Sequence, residues 1–465
     1  MPENTCPSPL VRWLIFAAVL TADVMDLLST SVTNLAAPSI VRDLHAPESL
    51  SPWLGSAYAL ALGSVLVLGA RLGDKYGARR LFLTGLAGFA LASLACALSV
   101  SPAMIVAARV AQGTFGALLI PQGFSLLLRA FPRTELGRVF GLFGPLMAVS
   151  SISGPVLAGF LLWLNPFGLD WRAVFLINVA IGAVLYPLSA RVLPRAGGDR
   201  SVRLDPVAAA LLIAALLGLL GGLVMIGGHE RGWRPAAAIA AGVVTASLFV
   251  LRQRRSPVPF LTPSLFRVRS FVAGLIVGFV FFAAVAGLLY ATSLYLQLGR
   301  GLAPLPAAAL MAPLSVGIIA ASFSARGFIG RLGRRLLALG LIGMSAGTVG
   351  YLTVILLAPD AIWALPLPLL ACGLGMGGCF GSVFAVALGE VGPDQVGSAS
   401  GTLNAVQQIA SAVGAALISA AYLAAASMGT ARGAVATSLV IVLVVTALCL
   451  AALPLLPRRA APDEH

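Results

Sequence analysis

The sequence predicts an all-α integral membrane protein with fourteen transmembrane helices, set out as two six-helix bundles plus an inserted helix pair. Three observations lead there. Of the 465 residues, 59% are hydrophobic and 10% charged, whereas a soluble globular protein has about a quarter of its residues charged. Apolar stretches of ~20 residues, the length that crosses a bilayer, follow one another between Pro, Gly and charge clusters. The basic residues, finally, fall almost wholly on one side of the alternation that these stretches define.

Taken in order, the first six spans are expected at 11–36, 52–70, 81–99, 103–128, 138–164 and 173–193. Two more follow at 206–228 and 235–251, and the last six at 271–298, 305–324, 335–357, 361–388, 396–425 and 433–456. The division is therefore 1–193 for the first bundle, 194–269 for the inserted region and 270–465 for the second bundle. Span one is too long and lacks a clean small-residue cleavage site, so it is expected to stay as an uncleaved span.

With an even number of spans both termini share a side. Placing them in the cytoplasm puts twenty-three of the 30 basic residues inside. Six then lie outside (Arg42, Arg172, Arg231, Arg234, Arg300 and Arg432), and Arg109 lies within a span. That asymmetry is the positive-inside pattern. It also accounts for the net charge of +14: the charges are scattered among loops and form no nucleic-acid surface. Lys75 is the single lysine, a bias that fits a GC-rich bacterial genome and places the protein in the plasma (inner) membrane of a bacterium.

The two bundles echo each other. The loop after span two reads ARLGDKYGARRLF and its counterpart in the last six reads ARGFIGRLGRRLL. Gly113, Phe115 and Gly116 in span four answer to Gly378, Phe380 and Gly381. Internal repeats around a central site are the architecture of many secondary transporters.

Three charges are expected inside the membrane: Asp23 and Asp26 in span one and Arg109 in span four. A charge at a helix centre costs about 2.5–3.5 kcal/mol on the insertion scale, so each is a functional candidate. At ~1.5 Å per residue, Asp26 lies ~21 Å from the inner edge and so ~9 Å below the outer one. Arg109, six residues down from the outside, lies at ~9 Å too. Asp23 falls nearer the midplane. The two acids stand at i,i+3 on one face, ~5–6 Å apart, where two carboxylates do not both ionise. The plainer alternatives are that Asp23 hydrogen-bonds a neighbouring helix and that Arg109 ties backbone carbonyls together.

The loop Ala70-Arg71-Leu72-Gly73-Asp74-Lys75-Tyr76-Gly77-Ala78-Arg79 resembles the G-x-L-A-D-R-x-G-R-K pattern of the major facilitator superfamily. Arg109-Val-Ala-Gln112-Gly113 resembles its R-x-x-Q-G, and Gly154-Pro155-Val-Leu-Ala158-Gly159 its antiporter signature G-P-x-x-G-G. Trp171, Arg172, Phe175 and Asn178, with Tyr295, Gln297 and Gly301, match the fourteen-span drug:proton antiporters of that superfamily. The resemblance covers nearly the whole chain. It implies the major facilitator fold, a cytoplasmic gate at Asp74, Lys75, Gly77, Arg79 and Arg80, and a bendable helix contact at Gly154, Pro155 and Gly159. It further implies that Arg109 takes part in proton relay.

Span one departs from the family. Where relatives read approximately L-D-x-T-I-V-N-V-A-L-P-S-I, this chain reads Leu28-Ser29-Thr30-Ser31-Val32-Thr33-Asn34-Leu35-Ala36-Ala37-Pro38-Ser39-Ile40. Ser29 fills the acid's place, and the carboxylate role passes to Asp26, with Asp23 one turn deeper. The expected function is proton-coupled antiport, exporting lipophilic drugs or antibiotics, cationic ones among them, by alternating access. The alternative is a dedicated exporter of a single natural product, lipid or metabolite. The substrate cavity is expected to include Asn34, Gln112, Phe281, Phe282, Tyr290, Asn404, Gln407 and Gln408, the aromatics offering cation–π contact. The expected partners are a small lipophilic substrate, protons and membrane lipids.

No cofactor is expected. The five cysteines (Cys6, Cys96, Cys372, Cys379 and Cys449) have no metal-ligand spacing, and His45, His229 and His465 fall in loops or at the terminus. G-x-x-x-x-G-K-[ST] is absent, which argues against direct ATP drive. The external acids, Asp43, Glu48, Asp170, Glu230 and Asp360, form no cluster that would suit a membrane enzyme.

Overall fold

A computed structural model of the chain describes residues 8–46, 50–132, 168–195, 197–199, 204–227, 232–256, 263–302, 304–325, 332–358, 360–392 and 395–457, with isolated positions between them. Among these residues there are helices and no strand, and twelve helices are long and apolar enough to cross a membrane. The long helices are α1 (Pro9–Asp43), α2 (Leu50–Tyr76), α3 (Ala78–Ala97), α4 (Pro102–Ala130) and α5 (Arg172–Val192). They continue with α6 (Pro206–Gly227), α7 (Arg234–Arg255), α8 (Arg269–Leu294), α9 (Pro304–Ala325) and α10 (Arg334–Leu357). The last three are α11 (Pro366–Leu388), α12 (Val396–Met428) and α13 (Ala431–Ala452). The expected span 138–164 lies outside the described residues.

Local chemistry sets the ends. Ser101 accepts a hydrogen bond from the Met104 amide ahead of Pro102, and Asp205 accepts from the amides of Val207 and Ala208 at 3.1 Å each. Both give orphan donors of a first turn a partner. Gly77, at φ +95°, turns the chain from α2 into α3, a backbone region that L side chains rarely adopt.

Helix neighbours repeat between the halves. In the first, α2 and α3 both pack on α4, α3 on α5, and α1 on α2, α4 and α5. In the second, α9 and α10 both pack on α11, α10 on α13, and α8 on α11, α12 and α13. Each half has its own apolar core: Ile15, Phe82, Phe89 and Leu119 in one, and Phe281, Leu288, Met344 and Met376 in the other. Successive helices run antiparallel, so Arg12 and Glu135 meet at 3.3 Å at one end of the molecule, and Asp43 and Arg172 at 2.9 Å at the other.

α6 and α7 pack on each other with Gly218 against Gly242. α6 also touches α2 of one half and α12 of the other. Leu216 and Leu220 there join Leu60 of α2 and Ile409 of α12 in one cluster.

Candidate functional site

Two of the three charges expected inside the membrane, Arg109 and Asp26, come together where α1, α2, α3 and α4 meet. Arg109, fully buried, donates from Nε to the Leu54 carbonyl at 2.9 Å. Its Nη1 donates to Ser29 Oγ at 2.9 Å and to Gln112 Oε1 at 2.6 Å. The guanidinium lies over the Tyr58 ring, 4.4 Å from the centroid, and Nη2 has no hydrogen-bond partner among the described residues. Gln112 is held in turn by its Nε2, which donates to Ser93 Oγ at 2.7 Å. A buried cation is thus met by three oxygens and a π face, the compensation that a guanidinium needs out of water.

Asp26, 8% exposed, accepts a hydrogen bond from the Tyr58 hydroxyl. Tyr58 therefore joins the two charges: its ring carries the cation and its hydroxyl the carboxylate. Gly116 of α4 makes room for the pair, since a Cβ there would stand 3.1 Å from both Asp26 Oδ1 and Tyr58 Oη. Asp23, half-buried, makes no hydrogen bond or ion pair among the described residues. Ser29, in the acid's place of the pattern the sequence resembles, is an α1 side chain hydrogen-bonded to Arg109.

Tyr58, Leu54 and Ser93 were not among the sequence candidates. A signal for Tyr58 existed: it stands six residues inside Pro52, hence ~9 Å deep by the same rise per residue that placed Asp26 and Arg109.

The expected cavity residues spread over several settings. Gln112 is consumed by the Arg109 network. Phe281 and Phe282 are buried among other rings, with Phe380 at 5.4 and 5.9 Å. Phe282 also meets Phe384 at 6.2 Å, and Phe384 stacks on Phe124 of α4 at 5.8 Å with ring planes 10° apart. That stack joins the halves. Tyr290 is half-buried. Asn404 donates to the Ser400 carbonyl at 2.9 Å, Gln407 has a buried Oε1 without a partner, and Gln408 packs near Gly63 of α2. The Asn34 side chain lies outside the described residues, as do Gly154, Pro155 and Gly159.

At the gate loop, Asp74 pairs with Arg71 at 3.8 Å, and its carbonyl accepts the Asp199 amide at 2.8 Å. Arg79 Nη2 donates to the Ala190 carbonyl of α5. Lys75 Nζ lies 5.6 Å from the Tyr76 ring centroid, and Arg80 is exposed. Nearby, Gln122 of α4 sits against Gly73, where a Cβ would displace it, and donates to the Gly69 carbonyl at 2.9 Å. Gly401 of α12 faces Ala70 of α2, leaving 2.6 Å to a Cβ built on the glycine. The halves thus touch closely at the end that carries this loop.

The sequence profile of the Major Facilitator Superfamily matches residues 19–415. A "Probable actinorhodin transporter" of Streptomyces coelicolor is 38% identical over 430 residues, 90% of this chain and 74% of that protein. The "Methylenomycin A resistance protein" of the same organism is 32% identical over 408 residues, 86% of this chain and 83% of that protein. Among solved structures, the human organic anion transporter MFSD10 aligns with a TM-score of 0.65 at 16% identity, covering 96% of this chain and 100% of that one.

Proposed function

The chain belongs to the major facilitator superfamily, and from that premise we propose that it is a proton-coupled antiporter exporting lipophilic drugs or antibiotics, cationic ones among them. It spans the bacterial inner membrane fourteen times, the thirteen long helices being completed by 138–164, with both termini in the cytoplasm. Two six-helix bundles, 1–193 and 270–465, rock about a central path, and 194–269 supplies the inserted pair.

The observation that carries this reading is the chain Asp26–Tyr58–Arg109, buried in an apolar bundle. A carboxylate is the group that exchanges a proton there, and Tyr58 links it to the Arg109 cation. A proton arriving from outside neutralises Asp26, weakens its hold on a cationic substrate bound near Asp23, and lets the bundles return. The Phe124–Phe384 stack and the Ala70–Gly401 contact support a state closed on the cytoplasmic side. Asp74, Lys75, Gly77, Arg79 and Arg80 act there as the gate, and Gly154, Pro155 and Gly159 as the bendable contact. The substrate path is lined from Asn34, Tyr290, Asn404, Gln407 and Gln408, with Phe281 and Phe282 at its closed end.

The test is export in inverted vesicles under an imposed pH gradient, screening lipophilic cations against neutral compounds. Uptake is expected to need the gradient and to be lost in Asp26→Asn. Equal uptake with the gradient collapsed sinks the coupling. A dedicated exporter of one natural product is favoured by a specific observation, the 38% identity to the probable actinorhodin transporter across 90% of the chain. Actinorhodin is therefore the first compound to try. Transport of it alone, with no response to the wider panel, selects that reading.

A further inference from the structure

A cavity lined by none of the Arg109 network's residues lies on the flank of the first half between α3 and α5. Its volume is about 830 Å³, and Lys75, Arg79, Arg80 and Arg195 line one end. No carboxylate lines it among the described residues. The strap 197–199 makes one wall: the Asp199 amide donates to the Asp74 carbonyl at 2.8 Å, and a Cβ on Gly198 would strike the Lys75 carbonyl and the Gly77 amide. Arg79 is fixed by its bond to the Ala190 carbonyl, and its buried Nε has no hydrogen-bond partner among the described residues. Four cations line the cavity, against one carboxylate, Asp199, in the strap beside it, and this excess of positive charge suits an anion.

Below the cations the cavity turns apolar. Leu83, Ala87 and Leu91 follow at i,i+4,i+8 on α3, with Phe115 behind them and Tyr186 of α5 across from them. Leu91 is 66% exposed and Tyr186 42%, so the groove opens sideways, toward where lipid must lie in a membrane-spanning bundle. From Arg80 to Leu91 is eleven residues, ~16 Å along a helix. That is about half of a ~30 Å hydrocarbon core, the depth of one leaflet.

We propose that this cavity binds an anionic glycerophospholipid of the leaflet at that end, its phosphate held by Lys75, Arg79, Arg80 and Arg195 and one acyl chain laid along Leu83, Ala87 and Leu91. Charge at one end and an apolar trough one leaflet deep at the other match a phospholipid and no soluble anion. The site adjoins the gate loop through Lys75 and Gly77, so an occupied cavity stiffens the α2–α3 turn.

The experiment uses the purified full chain in mild detergent, with phosphatidylglycerol, phosphatidylcholine and inorganic phosphate as separate probes, read by native mass spectrometry and by melting temperature. Phosphatidylglycerol is expected to stay bound and raise the melting temperature, phosphatidylcholine to bind far more weakly, and phosphate to do neither. Removing two cations in Arg80→Gln/Arg195→Gln is expected to weaken phosphatidylglycerol about thirtyfold, from about a factor of five per basic side chain at a membrane surface. Arg254→Gln/Arg255→Gln, which changes two exposed cations of α7 outside the cavity, is expected to leave binding unchanged. Ala87→Trp fills the trough without touching charge and is expected to weaken binding as well, which keeps a test open if the arginine variant folds poorly. Equal binding of the two lipids, equal losses in both arginine pairs, or a phosphate effect matching the lipid's overturns the proposal.

Discussion

At Arg109 the chemistry turns on which oxygen answers the cation. Ser29 Oγ does so at 2.9 Å, in the acid's place of the pattern the sequence resembles, while the Asp26 carboxylate is reached through Tyr58. Tyr58→Phe keeps the ring under the guanidinium and removes the hydroxyl, leaving Asp26 short of its donor. A buried group so deprived costs about 1–3 kcal/mol. The variant is therefore expected to melt earlier and to slow gradient-driven transport by about tenfold; wild-type rates in inverted vesicles would remove Tyr58 from the relay. A rescue tests the transferred acid role. Ser29→Asp in an Asp26→Asn background puts a carboxylate beside Arg109 and is expected to restore gradient-dependent uptake that Asp26→Asn alone lacks. Much of this site was legible in sequence: charges in an apolar run stand out, and constant rise per residue gives their depth. Tyr58 was not, because a tyrosine in a membrane span costs little and so raises no flag, and Ser29 showed its role only once its rotamer and neighbours were placed.

Individual helices followed composition closely, since a span must satisfy all its backbone groups internally and must reach across the core. The differences lie at their ends. α1 was expected to stop at 36 and runs to Asp43, beyond what apolar content can register. The reason is a clasp at that end: Asp43 accepts from the Trp171 indole at 3.1 Å and from Arg172 at 2.9 Å, tying the end of α1 to the start of α5. Those hydrogen bonds, Trp171's first and Arg172's next, hold the Asp43 carboxyl below the usual carboxylate range. A lowered carboxyl contributes stability that is present above its unfolded value near 4 and is lost as pH falls through the lower folded one. Asp43→Asn is accordingly expected to melt earlier than wild type by a constant amount from pH 5 to 8, equivalent to about 0.2–1 kcal/mol for an exposed pair. The gap should close below about pH 4. Melting curves of both proteins across that range decide it, and a gap that widened on acidification would contradict the clasp.

Across the whole molecule, what sequence concealed is the seam. Helices apolar on every side have no stripe to say which face meets a neighbour, so the ring stack of Phe124 on Phe384 and the place of α6 could not be read from spacing. α6 lies on α2 and α12 together, with Leu220 of α6 3.1 Å from a Cβ built on Gly63. Any rocking of one half against the other must slide past it. Asp205 and Arg252 join α6 to α7 through two hydrogen bonds, 2.7 and 3.0 Å. In the proposed alternating-access cycle the Phe124–Phe384 stack must part whenever the cytoplasmic side opens. Replacing both rings by cysteine, with the native cysteines removed, tests that requirement. A short bifunctional thiol reagent is expected to join Cys-substituted 124 and 384 and to abolish transport in the joined fraction, whereas each single replacement, treated alike, keeps its untreated rate. Substrate supplied at the cytoplasmic face is expected to slow the joining, because it holds open the path that the stack closes. A joined protein that still turned over at its untreated rate would mean that the halves need not separate there, and the alternating-access reading of this seam would fall.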